Sequence, residues 1–305
     1  MVEGPAPDGP ASGTHRRLGM RRKAVPYGLL SPGGAYLVVF FLLPLALMLY
    51  TSLQSGGLLS GGFRFTWDWA NYSNVLTTYQ PQFIRSIQYS LIVTFVALLF
   101  AYPMTYWIAF YGGKRKSSLL LLILLPFFVS FVIRTIQWKF ILGDNGPVLG
   151  TLKGFGLIPE GFRVLATPFA VVAGITYNYL PFTALPLYVA LERIDKSLVE
   201  AAKDLYATRF NAFRKVVWPL SLPGVFAAFL LTFVPSTGDY VNAALLGGPG
   251  TRMIGNIIQD KFLTENNYPE AAALSVILMI AMVVLASVYA RILGTEEATR
   301  AAAAA

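Results

Sequence analysis

Uncharged apolar blocks about twenty residues long constrain this chain more than any other feature. The first, GAYLVVFFLLPLALMLYTSL from Gly34 to Leu53, contains no Asp, Glu, Lys or Arg. A helix rises 1.5 Å per residue, so roughly 20 residues cross the ~30 Å hydrocarbon core of a bilayer. Further spans are expected at about 87–111, 118–137, 167–191, 220–245 and 271–293. Only 13% of the chain is charged, where a soluble domain carries about 25%. The expected fold is an all-α membrane protein with six transmembrane helices, in preference to a soluble helical protein with a greasy core. The first block is too long for a signal-peptide core and is followed by no A-x-A-like site, so it should stay as an anchor.

Six crossings place both termini on one side, and the basic residues say which. On the terminal side lie sixteen Lys and Arg, including Lys114–Lys116 and six between residues 192 and 216; seven lie on the other, with Arg134 inside or at the edge of the third span. The excess puts both termini in the cytoplasm. The net charge of +9 is thereby explained by membrane orientation, and nucleic acid is not an expected partner. Residues 1–26 read as a flexible basic cytoplasmic tail, 27–295 as the six-span domain and 296–305 as a C-terminal tail. Outer loops at about 56–86 and 139–166 carry Trp67, Trp69 and several Tyr, and such segments often lie as short interfacial helices.

Chemistry is scarce. The chain has no Cys, and its single His, His15, falls in the tail. This rules out thiolate catalysis, disulfides and a His-based metal site. GGKRKSS, from Gly112 to Ser118, lacks the spacing of a phosphate-binding loop. No cofactor bound by this chain is expected, and it is not expected to be an enzyme. The fifth span stands out because Pro235 and the polar run Ser236–Asp239 fall inside it. Polar backbone at membrane depth has to face protein or water, so this span reads as broken around a transport path. A scaffold without a path would have no use for such residues.

The loop from Leu191 to Gly224 is unlike its apolar flanks. Leu198, Ala201, Ala202 and Leu205 recur at i, i+3, i+4 and i+7, with Glu200, Lys203 and Asp204 opposite. Thr208 is placed to cap a second short helix carrying Phe210, Phe213 and Val217 on one face. Two short helices with an Ala-rich bend form a knob that a partner groove could grip, with Tyr206 or Phe210 as an aromatic anchor. EAAKDLYATRFNAFRKVVWPLSLPG, from Glu200 to Gly224, resembles the EAA loop of ABC-importer permeases. Tyr206 stands where that pattern usually has Gly, so the bend is expected to differ or an aromatic anchor to replace it. The resemblance implies a coupling helix seated on a cytoplasmic ATPase, with Glu200, Ala201, Ala202, Asp204, Leu205, Tyr206, Ala207, Arg209 and Phe210 at the contact. It also implies a second permease chain, two ATPase subunits that bind ATP and Mg, a separate solute-binding protein outside, and the plasma (inner) membrane of a prokaryote.

YNYLPFTALPLYVALERID (Tyr177–Asp195) and GDYVNAALLGGPGTRMIGNIIQ (Gly238–Gln259) are similar to the permeases of spermidine/putrescine importers of the PotB type. That resemblance implies a polyamine substrate. A flexible polycation wants carboxylates and aromatic faces, so the candidate path is Asp239, Tyr240, Tyr177, Asn178, Trp138, Asn242 and Arg134, with Tyr179 and Phe182 nearby. Asp239 either meets substrate or pairs with Arg134, since buried charges usually pair. The alternatives are the same architecture carrying another solute, such as iron, thiamine, sulfate or an anion held by Arg134, or a gradient-driven carrier.

Overall fold

The computed structural model describes Gly4, residues 31–57 and residues 61–303. Apart from Gly4, the tail read at 1–26 lies outside the described residues, His15 with it. The chain divides into two units, one ending at Thr51 and the other beginning at Ser52. The described residues of the first are Gly4 and all but the last residue of α1 (Ser31–Ser52), which widens into a π-type turn at Val38–Leu42.

The second unit opens with a hairpin, so the loop expected to hold short helices at about 56–86 is helical only in its later part. β1 (Gln54–Gly57) pairs antiparallel with β2 (Gly62–Phe65), Gln54 opposite Phe65. The cause is local, because Gly56, Gly61 and Gly62 all take positive φ, a region that glycine enters without penalty. Asn71, on the short helix α2 (Ala70–Thr78), closes the structure by donating its side-chain amide to the carbonyls of Ser52 and Gln54.

Three long helices form the centre: α3 (Gln80–Tyr111), α7 (Pro168–Glu192) and α9 (Arg209–Thr237). Ala101, Ala184, Leu187 and Ala228 make their shared core. Small side chains matter because lipid gives helices no hydrophobic reason to associate, and close backbone approach supplies the dispersion that holds them. Gly224 on α9 marks a close crossing, since a Cβ there would collide with that of Ala190 and sit 3.0 Å from the Pro186 carbonyl. Hydroxyl pairs lock the same helices, Thr183 with Thr232 at 2.7 Å and Tyr102 with Ser221 at 2.8 Å.

The third expected span is not straight. α4 (Lys116–Leu124) runs into a 3-10 turn at Leu125–Phe128, the chain extends through Val129 and Ser130, and α5 (Phe131–Ile141) leaves at 89°. Pro126 lacks the N–H that would continue the ladder, and Val129 adopts an extended backbone. The loop after the third expected span holds the short helix α6 (Leu149–Gly154). The fifth span ends at Thr237, eight residues before the expected boundary, and resumes after Gly238–Tyr240 as α10 (Val241–Leu246). α11 (Ile254–Gln259) and α12 (Tyr268–Ala303) complete the chain; α12 continues into the residues read as a C-terminal tail.

Among the described residues four helices are long and apolar enough to cross a membrane, and the bent α4–α5 pair makes five. α7, where the fourth crossing was expected, is 25 residues long but carries Thr176, Asn178 and Thr183 as buried polar side chains and two internal prolines, Pro181 and Pro186.

Candidate functional site

Two places combine polar chemistry with unusual backbone. The first is the loop between α7 and α9. Asp195 accepts a hydrogen bond from the Ser197 amide at 2.9 Å and starts α8 (Lys196–Asp204). That cap holds the Asp195 carboxyl below the ordinary aspartate range. α8 ends in a Schellman turn: the Tyr206 amide bonds the Lys203 carbonyl at 2.9 Å and the Ala207 amide bonds the Ala202 carbonyl at 3.0 Å. Tyr206 occupies the left-handed position of that turn with φ 60°. The bend therefore keeps the geometry that a glycine would give, at a cost of about 1 kcal/mol for a side chain in this region.

α8 is mounted with its apolar side outward. Leu198, Ala201 and Leu205 are exposed, Leu205 at 82%, and Tyr206 at the tip is 98% exposed. Lys196, Glu200 and Lys203, exposed as well, line with Arg209 a cavity of about 150 Å³ against Tyr106 and Phe110 near the end of α3, while Val199 is the α8 side chain that packs half-buried on Ala109, Leu191, Ile194 and Val217. A surface helix normally buries its apolar stripe, so the stripe left exposed at Leu198, Ala201 and Leu205 marks a contact face. Thr208 caps α9 through the Asn211 amide at 3.3 Å. Phe210 does not share a face with its expected neighbours. It is exposed, whereas Phe213 packs on Tyr102, Tyr106 and Trp218 and Val217 is buried; a π-type turn spans Phe213–Val217. Asp204 and Ala207 complete the knob, Asp204 exposed and Ala207 half-buried.

The second place is the break between α9 and α10. Asp239 is buried, and both its oxygens are engaged by one residue: the Asn242 amide donates to Oδ1 and the Asn242 side chain to Oδ2, each at 2.8 Å. Asn242 Oδ1 in turn accepts from Thr135 and Asn178 at 3.1 Å, and Asn178 also donates to the Thr135 hydroxyl. This network joins α5, α7 and α10 at the point where α9 stops, so the backbone freed by the break is held by side chains. Gly174 on α7 makes room for it, for a Cβ there would strike Leu246 and lie 2.9 Å from Asn242 Oδ1.

The Asp239–Arg134 pair that the sequence leaves open does not form. Asp239 is satisfied within its own turn, three residues from Asn242, whereas Arg134 stands on α5 over the Phe131 ring, its Cζ 5.8 Å from the centroid. Trp138 and Tyr177 meet edge to face at 5.3 Å. Tyr240 is partly exposed beside the break, and its carbonyl accepts from Asn256 at 2.8 Å. The network thus gathers Asp239, Asn242 and Asn178, while Arg134 lines a separate cavity of about 380 Å³ with Tyr179 and Phe182. Sequence reading missed Thr135. Its signal was present in the spacing, four residues after Phe131 and three before Trp138 on one helical face.

The profile of the family described as "Binding-protein-dependent transport system inner membrane component" matches residues 37–295. The spermidine/putrescine transport system permease protein PotB of Haemophilus influenzae is 36% identical over 259 residues, covering 84% of this chain and 90% of that protein. Its counterpart in Escherichia coli is 34% identical over 258 residues, covering 84% and 93%. Among solved structures, a bacterial ABC transporter involved in import of the acidic polysaccharide alginate has the same fold, with a TM-score of 0.67 at 19% identity, covering 90% of this chain and 96% of that one. With the outward knob and the broken, polar-lined helix, these likenesses make the chain a multi-pass membrane protein belonging to the family of binding-protein-dependent transport system inner membrane components.

Proposed function

We propose that this chain is the permease subunit of an ATP-driven importer for polyamines, crossing the membrane six times with both termini in the cytoplasm. α7 supplies the sixth crossing, its polar residues turned to the protein interior. The observation that carries this reading is the outward apolar face of α8 with Tyr206 at its tip. A separate ATPase receives that knob in a groove, hydrolyses ATP with Mg, and moves α7 and α9, which the α8 loop connects. A second permease chain completes the path and an outer solute-binding protein delivers the cargo. The polyamine assignment draws on the two PotB relatives named above.

In this reading the path runs beside Asp239, with Tyr240, Tyr177, Trp138, Asn178 and Asn242 as its polar and aromatic lining and Arg134 at its edge. Asp239 meets an ammonium group when the break opens and Asn242 releases one oxygen. One carboxylate cannot neutralise a tri- or tetracation, so the partner permease supplies more.

The test is uptake of labelled spermidine by cells expressing the chain with its companion subunits, challenged with putrescine, sulfate or ferric iron. Saturable uptake blocked by putrescine alone, and lowered in Asp239→Asn, is the expected result. Uptake blocked by sulfate or iron would assign a different solute, and an Asp239→Asn variant with unchanged affinity would remove Asp239 from the path.

A further inference from the structure

Arg134 is a buried cation without an anion. It is 7% exposed, and its Nε and Nη1 have no hydrogen-bond partner among the described residues. None of the ion pairs there includes it, and Asp239, the acid expected to meet it, is committed to Asn242. A guanidinium so placed is costly unless something outside the described chain neutralises it. It lines the cavity of about 380 Å³ whose other walls include Phe127, Phe128, Phe131, Tyr179 and Phe182.

The depth of that cavity narrows what fills it. Lys116, at the start of α4, is held at the end of α7 by its ion pair with Glu192 at 2.7 Å. From there to Val129 the chain climbs thirteen residues, about 20 Å at 1.5 Å per residue, which reaches the middle of the hydrocarbon. Extended backbone at that depth cannot face lipid and has to be covered by protein or line a wet cavity. Phe128, beside the break, is 81% exposed. An apolar rim around one unpaired cation is complementary to an apolar helix carrying one carboxylate.

We infer that Arg134 receives the carboxylate of an Asp or Glu on a membrane helix of the second permease chain, whose apolar flanks cover Phe127 and Phe128. This deepens the proposed function and rests on its two-permease arrangement. It gives Arg134 a role that direct contact with a polycation would not. The guanidinium holds a partner carboxylate closed until an ammonium group of the polyamine competes for it, and its own charge keeps the polycation from lodging there.

The experiment uses the assembled importer. Each Asp and Glu in the partner permease's spans is changed singly to Arg in an Arg134→Glu background, and recovery of the permease pair, its thermal midpoint and spermidine uptake are measured. Arg134→Glu alone should lower pair recovery and uptake by about tenfold or more, and one partner replacement should restore both to within about threefold. If no replacement restores the pair, and Arg134→Gln assembles with an unchanged midpoint, the inference is overturned. It is also overturned if Arg134→Gln assembles normally but loses uptake of an anionic solute, for the carboxylate would then belong to the cargo. Recovery and midpoint need no solute, so a complex that carries no spermidine would defeat the polyamine reading and still give an answer here.

Discussion

The α8 knob and the α9–α10 break treat polarity in opposite ways. At the knob, apolar side chains stand exposed beside exposed charges that line a small cavity. At the break, an acid and two amides are buried and bound to one another in a chain from Asp239 through Asn242 to Asn178 and Thr135. The first arrangement leaves an apolar face unpaid for by its own chain and so calls for a partner protein. The second satisfies most of its polar atoms locally and so can open only by exchanging one hydrogen bond for another. A transporter needs both, one surface that accepts force and one point where the membrane helix can yield.

The largest expected effect comes from spoiling the outward face. Leu205→Asp places a charge where apolar contact is needed, and uptake should fall about tenfold or more while the melting temperature of the isolated permease stays put. Co-purification with the ATPase and thermal melting read the two halves of that prediction. Next is the break: Asp239→Ala strips both acceptors from Asn242 and should cost about 2–3 kcal/mol in unfolding of the permease. Gly174→Ala forces a methyl group against Leu246 and Asn242 and should cost about 1–2 kcal/mol in the same assay. Tyr206→Gly separates conformation from contact. It should gain about 1 kcal/mol by relieving the left-handed side chain, yet lower ATPase affinity if the ring is the anchor.

The smallest effect is at the Asp195 cap. Its carboxyl is held low, first by the Ser197 backbone amide, so the folded form has the lower pKa. The stabilisation it gives α8 is complete above the ordinary aspartate value and is lost as pH falls through the lowered one. Hydrogen exchange of the α8 amides should therefore show unchanged protection between about pH 8 and 5, beyond the intrinsic rate, and Asp195→Ala should weaken it throughout that window.

Legibility in the sequence followed the range of the interactions. The α8 knob was readable because its cap at Asp195, its periodic Leu198–Ala201–Ala202–Leu205 stripe and its turn are all set within a dozen residues. Even so, periodicity gives a face and not its direction, and nothing local says that the apolar side points away from the body. The break in the fifth span was visible in Pro235 and Ser236–Asp239, but its partners were not. Thr135 and Asn178 lie 107 and 64 residues from Asn242, and only the packing of α5 and α7 chooses them over Arg134 for the network. The 89° bend of the third span was missed because no charge falls between Ser117 and Ile133, and Pro126 alone does not announce an extended Val129. The β1–β2 hairpin was missed although its glycines were in plain view, because its aromatic residues suggested short helices along the whole loop, and only Ala70–Thr78 is one.

The proposed coupling has force at the knob open the break, and the chain's lack of cysteine allows a clean test. Tyr240, partly exposed beside the break, is replaced by Cys, and its rate of modification by a water-soluble thiol reagent is measured in the assembled importer with and without ATP. ATP should change the rate severalfold, and adding Leu205→Asp should abolish the response. An equal ATP response with Leu205→Asp in place would contradict that coupling.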